Sequence, residues 1–143
     1  MSATKARQIV LAARPEGKPR LTDFRLEETA IPTPGPGQVL LRVQYLSLDP
    51  YMRGRMDDRE SYAPPVPLGG VMPGESVATV VLSHHPGYSE GDIVLAYTGW
   101  RTHALSDLTA GSAPESAGEQ SCIVKLAPAN LRKNAAHWMR RSI

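Results

Sequence analysis

The chain has 143 residues, 41% of them hydrophobic and 21% charged, with a net charge of +2. That size and balance suit one ordinary domain around a single core, and no apolar run approaches the roughly 18 residues that a membrane-spanning helix needs. A single cysteine, Cys122, excludes an internal disulfide and a cysteine-rich zinc site. The charge is uneven: Arg132, Lys133, Arg140 and Arg141 put +4 into the last fifteen residues, which leaves the first 128 at −2. This short basic tail interleaves one aromatic and accompanies no nucleic-acid motif, so neither nucleic acid nor a membrane is an expected partner.

The opening MSATKARQIVLAARPEGK places basic residues before an apolar stretch. Ile9 to Ala13 is nevertheless shorter than the apolar region of a signal peptide, about 7 to 15 residues. A strand over Gln8 to Ala13 and a cytoplasmic location are expected instead. Arg14 to Pro19 is rich in turn formers, and Phe24 to Glu27 reads as a second short strand, so two edge-like strands open the domain. Ile31 to Gly37, IPTPGPG, cannot be helical, because its prolines fix φ and remove donors.

The clearest strand follows in QVLLRVQYLSLDP, with Val39, Leu41, Val43 and Tyr45 on one face and Leu40, Arg42 and Gln44 on the other. Asp49 and Pro50 stop it. Beyond a polar, arginine-rich stretch and the loop SYAPPVPLGGVMPG come ESVATVVLS, the turn HHPGYSEGD, IVLAYTGW and a short return strand, RTHALS. Asp107 to Glu119 is small and polar and reads as a flexible surface loop before the strand SCIVKL, in which Cys122 is expected to be buried and inert. Only Ala129 to Arg141 has a helical period, with Leu131, Ala135, Trp138 and Met139 on one face and Asn130 as N-cap. Many short strands and one late helix predict a mainly β domain over residues 1–128, a barrel or sandwich, with a basic helical tail over 129–143.

Several candidate sites carry little chemistry. His84 and His85 lie at a strand end with no cysteine nearby and suit a solvated turn better than a metal. Gly35 and Gly37 begin a G-x-G that precedes a strand instead of following one. Gly74, Glu75 and Ser76 resemble half of a nucleophile elbow, but residue 78 is alanine. Gly69, Gly70 and Gly74 suit turns and a close approach of backbone to ligand. Trp100, Tyr97 and His103 are candidates for a cleft wall, with core packing the simpler reading. Arg53 and Arg55 suit either a cofactor phosphate or acidic substrate, or local ion pairs with Asp57, Asp58 and Glu60.

The run LSLDPYMRGRM from Leu46 to Met56, then LGGVMPGESVATVV and GDIVLAYTGW, resembles the zinc-independent medium-chain dehydrogenase/reductases. This group includes the prostaglandin reductases, plant alkenal double-bond reductases and bacterial curcumin-type reductases. The similarity covers roughly Arg7 to Leu126. It implies a GroES-like, partly open β-barrel, normally followed by a Rossmann domain that this sequence does not show. It also implies NADP(H) as cofactor, an unsaturated ketone or aldehyde as small-molecule substrate, and hydride transfer to the β-carbon.

By the same resemblance Tyr51 lines the cleft beside nicotinamide and substrate, Asp49 and Pro50 shape the substrate side, and Tyr51, Met52 and Arg53 meet the cofactor. No residue is singled out as catalytic, and no metal ligand is expected, since Gly74, Glu75 and Ser76 stand where zinc-dependent relatives carry Gly-His-Glu. The segment APANLRKNAAHWMRRSI departs from the family's continuation. The expectation is a domain inactive by itself, with its tail folded back or forming a homodimer through Leu131, Trp138 and Met139. A stand-alone small-molecule-binding or oligomerising barrel is the alternative.

Overall fold

The structure is a computed structural model that describes residues 5–61, 63–107 and 124–125. The expected tail helix, Cys122 and most of the polar loop lie outside the described residues. Seven strands are described: β1 (Ala6–Leu11), β2 (Phe24–Thr29), β3 (Gln38–Leu46), β4 (Glu75–Ser83), β5 (Ile93–Tyr97), β6 (His103–Asp107) and β7 (Val124–Lys125). One short helix, α1 (Tyr51–Arg55), and a 3₁₀ turn, Leu21–Asp23, complete the set. The mainly β reading therefore holds, and Asp107, expected in the loop, instead closes β6 opposite Gln38.

β1 and β2 form an antiparallel ribbon from Ala6↔Thr29 to Leu11↔Phe24. The other five strands form one antiparallel sheet in the order β6-β3-β4-β5-β7. β2 has the expected edge character, with Leu26 exposed. β1 does not, because its far side is fastened to the larger sheet's connections. Ile9 N donates to Trp100 O at 2.9 Å, Met72 N donates to Ile9 O at 3.1 Å, and Thr102 N donates to Arg7 O at 2.9 Å. The ribbon so closes over one end of a sheet that stays open elsewhere, a partly open barrel.

Alternation along three strands makes the main core. Val39 and Leu41 of β3, Ala78 and Val80 of β4, and Val94 and Ala96 of β5 pack together with almost no exposure. Each such side chain contributes about 1.5–3 kcal/mol when fully buried, the smaller alanines less. A second cluster of Leu11, Met52, Met56, Val66 and Met72 lies under α1, with Phe24, Tyr51 and Trp100 against it. Arg14 fastens its rim by donating from Nη1 to the carbonyls of Met56 at 3.0 Å and Val66 at 2.6 Å.

Two expectations for this region are corrected. Tyr45 does not join Val39, Leu41 and Val43 on the core face. Val43 pairs with Ala78 but Tyr45 pairs with the next residue, Val77, so Gln44 is the extra residue of a β-bulge. The side-chain period of two slips there, and Tyr45 turns outward, 75% exposed. The arginine-rich stretch, with no assigned structure from the sequence, forms α1. Pro50, at φ −57° and ψ −31°, presets the first turn, and Met52 and Met56 point inward one turn apart.

Candidate functional site

The end of β3, the start of α1, the start of β4 and the end of β5 meet at one corner of the sheet. In β4 and β5 the even-numbered Ser76, Ala78, Val94 and Ala96 face the core, so Glu75 and Tyr97 face outward. They are direct cross-strand partners, Glu75↔Tyr97, which sets their side chains side by side. The bulge at Gln44 brings Tyr45 to this same face, beside Val77.

The Tyr51 hydroxyl at the start of α1 lies 3.4 Å from the Tyr97 hydroxyl, where either can donate. Ser47 holds the approach to α1: its backbone N donates to Glu75 O at 2.9 Å, and its Oγ donates to Asp49 Oδ2 at 2.9 Å. Partial burial, and then the nearby Asp49 charge, push the Glu75 carboxyl above its ordinary pKa. Among the described residues neither Asp49 nor Glu75 has an ion-pair partner.

That electrostatic pairing is testable. Asp49→Asn removes one charge and leaves the shape, so the Glu75 pKa is expected to fall toward the normal carboxylate value in a carbon-detected NMR titration. An unmoved Glu75 titration would place Asp49 too far away to matter. The sign for stability follows. With its folded pKa raised, ionised Glu75 costs native stability, and the cost develops as pH rises through the ordinary carboxylate value toward the folded one. Asp49→Asn should lessen it.

Packing beneath the corner is tight. A run of hydroxyls consistent with one proton each passes from Ser76 Oγ to Thr98 Oγ1 at 2.7 Å and on to Gly99 O at 3.0 Å. Gly99 has φ +73°, and a Cβ there would sit 2.9 Å from Met72 O. A Cβ on Gly74 would meet Leu46 Cδ1 at 3.0 Å, with Met52 Cε and Trp100 Cδ1 at 3.2 Å. Gly74 therefore admits protein side chains and not a ligand, a correction to the sequence reading, while Gly69, at φ +81°, serves a turn as expected.

Asp49 and Tyr51 are half-buried at the corner and Pro50 is exposed beside them. Met52 points into the core with 3% exposure, and packing is its described role. The Arg53 guanidinium is occupied internally. It donates to Gly17 O at 3.0 Å and Pro15 O at 3.2 Å, and pairs with Asp57 at 2.8 Å. That hydrogen bond also holds the Asp57 carboxyl below its usual value. For Arg53 the local ion-pair alternative is the one the geometry supports; Arg55 is buried. Of a cofactor, these residues suit contact with a ring at Tyr51 and provide no free cation for its phosphates.

Trp100 packs inward, stacked on Phe24 with ring centroids 5.6 Å apart. His103 lies on β6, with β3 and β4 between it and β5; it sits opposite Arg42, and burial followed by the Arg42 charge lowers its pKa. It does not reach Tyr51. His85 Nδ1 accepts from Gly87 N at 2.9 Å and its ring meets Tyr88 edge-on, inside a turn. No three histidine, cysteine, aspartate or glutamate side chains gather as metal ligands among the described residues. Sequence reasoning missed Glu75, whose position is visible only once the β4–β5 register is known, and gave Tyr97 to the core.

The N-terminal domain of oxidoreductase family matches residues 7–112. The NADPH-dependent curcumin reductase of Escherichia coli (strain K12) is 60% identical over 100 residues, 70% of this chain and 29% of the relative. Prostaglandin reductase 1 of Oryctolagus cuniculus is 38% identical over 104 residues, 72% of this chain and 28% of the relative. The crystal structure of CurA from Vibrio vulnificus in complex with NADPH superposes with a TM-score of 0.72 at 46% identity, covering 87% of this chain and 34% of that one. The chain thus spans under a third of the length of these curated relatives. Strand order, the corner built by LSLDPYMRGRM and these matches agree: the chain belongs to the family of oxidoreductase N-terminal domains, the GroES-like half of the medium-chain dehydrogenase/reductases.

Proposed function

We propose that this chain is the substrate-side domain of an NADP-dependent oxidoreductase that reduces the C=C bond of α,β-unsaturated ketones and aldehydes. The observation that carries the reading is the Tyr51 phenol, aimed at Tyr97 at the corner formed by the family's own motif. With one proton on each hydroxyl, Tyr97 donates to Tyr51 and Tyr51 donates to the substrate carbonyl oxygen. That bond strengthens as negative charge gathers on the oxygen during reduction. Bound NADPH would supply the hydride that adds to the β-carbon, and a proton completes the reaction at the α-carbon.

The reading uses no metal, in keeping with Gly74, Glu75 and Ser76 at the position discussed above. A cytoplasmic location belongs to the same proposal, and among the described residues no helix is long and apolar enough to cross a membrane. Tyr51 is the residue assigned to both substrate and nicotinamide, with Asp49 and Pro50 shaping the entry. Of the motif's cations the Arg53 guanidinium is already taken by Gly17, Pro15 and Asp57, and among the described residues no glycine-rich loop stands between a parallel strand and a helix to receive cofactor phosphates. The 143-residue polypeptide alone is therefore expected to bind substrate weakly and to turn over no NADPH.

A second reading, a binding or oligomerising barrel without chemistry, draws on the exposed Tyr45 and Leu48 beside the corner. Amide NMR titration with benzalacetone, a neutral enone, tests the first. Shifts are expected at Ser47 to Met52, Glu75 to Val77 and Tyr97 to Trp100. Shifts elsewhere, or none at high enone concentration, would count against the corner as a substrate site.

A further inference from the structure

We propose that Glu75, backed by Asp49, makes the Tyr51 corner select unsaturated carbonyl compounds that carry no negative charge, an inference that rests on the substrate reading above. Glu75 is the direct neighbour of Tyr97 on the outward face, and Tyr97 reaches the Tyr51 hydroxyl. Cβ atoms of such cross-strand partners stand about 4.5–5.5 Å apart, so Glu75 stands beside Tyr97, whose hydroxyl in turn meets that of Tyr51. Asp49 is held beside the entry to α1 by the Ser47 hydroxyl.

Neither carboxylate makes an ion pair among the described residues. The nearest cation along the chain, Arg53, turns away to Gly17, Pro15 and Asp57. Arg7 and Arg25 are engaged with Glu28 and Glu27 on the β1–β2 ribbon. Partial burial, and then the Asp49 charge, already raise the Glu75 pKa, and a ligand carboxylate would add a third negative group to the same corner. Like charges brought together at a partly desolvated surface weaken binding by about tenfold or more. A neutral ketone or aldehyde escapes that penalty, and its carbonyl oxygen still accepts from Tyr51.

The test compares benzalacetone with its para-carboxylate derivative by NMR titration of the full chain, at low salt and at a pH well above the carboxylate range. The wild type is expected to bind the neutral enone at least about tenfold more tightly than the carboxylate. Glu75→Gln, which keeps size and polarity, should narrow that gap several-fold by tightening the carboxylate more than the neutral enone, and adding Asp49→Asn should narrow it further. A merely structural role for Glu75 would instead change both affinities together. Equal wild-type affinities for the two enones, or a gap that Glu75→Gln leaves untouched, would overturn selection by charge and spare the substrate reading. Failure of the neutral enone to bind at the corner would overturn both. Should Glu75→Gln not fold, raising salt on the wild type decides, since an electrostatic gap must shrink under screening and a steric one must not.

Discussion

Leu41→Ala is expected to lower the free energy of unfolding by about 2–5 kcal/mol, enough to remove much of the stability of a domain this size. Leu41 is fully buried at the middle of β3, the strand that pairs with both β4 and β6. It packs among Val39, Ala78, Val80, Val94 and Ala96, all with near-zero exposure, so the loss of its methyl groups leaves a cavity. The flanking ladders limit how far that cavity can collapse. Urea unfolding followed by circular dichroism measures the change as a lower midpoint at unchanged slope. Leu21→Ala, at a side chain 93% exposed, serves as control and should shift stability by no more than about 0.5 kcal/mol. Comparable losses in the two variants would mean that the core is not centred on β3.

The second large effect concerns chemistry, and it needs a cofactor domain to be seen. In a chimera that places residues 7–112 of this chain before the remainder of the Escherichia coli curcumin reductase, Tyr51→Phe is expected to lower kcat/KM for benzalacetone by about tenfold or more. The substitution keeps the ring against the core cluster under α1 and removes only the hydroxyl that faces Tyr97. If Tyr51 donates to an oxygen that gains charge during reduction, most of the loss falls on kcat. A loss confined to KM would assign the hydroxyl to uniform binding, and an unchanged kcat/KM would leave Tyr51 as a wall. Tyr97→Phe, which removes the donor behind Tyr51, should show a smaller decrease in the same direction.

Much of the fold was legible because it rests on local rules. The period of two in β3, β4 and β5, the proline and glycine punctuation between them and the turn at His85 each follow from residues near in sequence. What escaped depends on partners far away. The bulge at Gln44 leaves no local mark, since Tyr45 continues an unbroken apolar alternation and only the shift from Val43↔Ala78 to Tyr45↔Val77 turns it outward. α1 escaped because five residues with Gly54 among them show no helical period, although Pro50 ahead of them was a usable start signal.

The site divides in the same way. Tyr51 and Asp49 were reached through the motif that contains them. Glu75 drew notice only within Gly74, Glu75 and Ser76, as part of a broken nucleophile elbow and as a residue that is not histidine, and its place beside Tyr97 appears once strands 22 residues apart are set in register. Gly74 and Gly99 show why glycine in a motif is ambiguous: side chains from β3, α1 and Trp100 claim the space at Gly74, and backbone claims it at Gly99.

The most direct test of the proposal that this chain supplies the substrate half of a reductase is NADPH oxidation at 340 nm by the unsubstituted chimera beside the 143-residue chain. The chimera should consume NADPH only when the enone is present and yield the saturated ketone, while the chain alone consumes none. A chimera that folds and binds NADPH yet leaves the enone untouched, or a chain that turns over NADPH unaided, would contradict it.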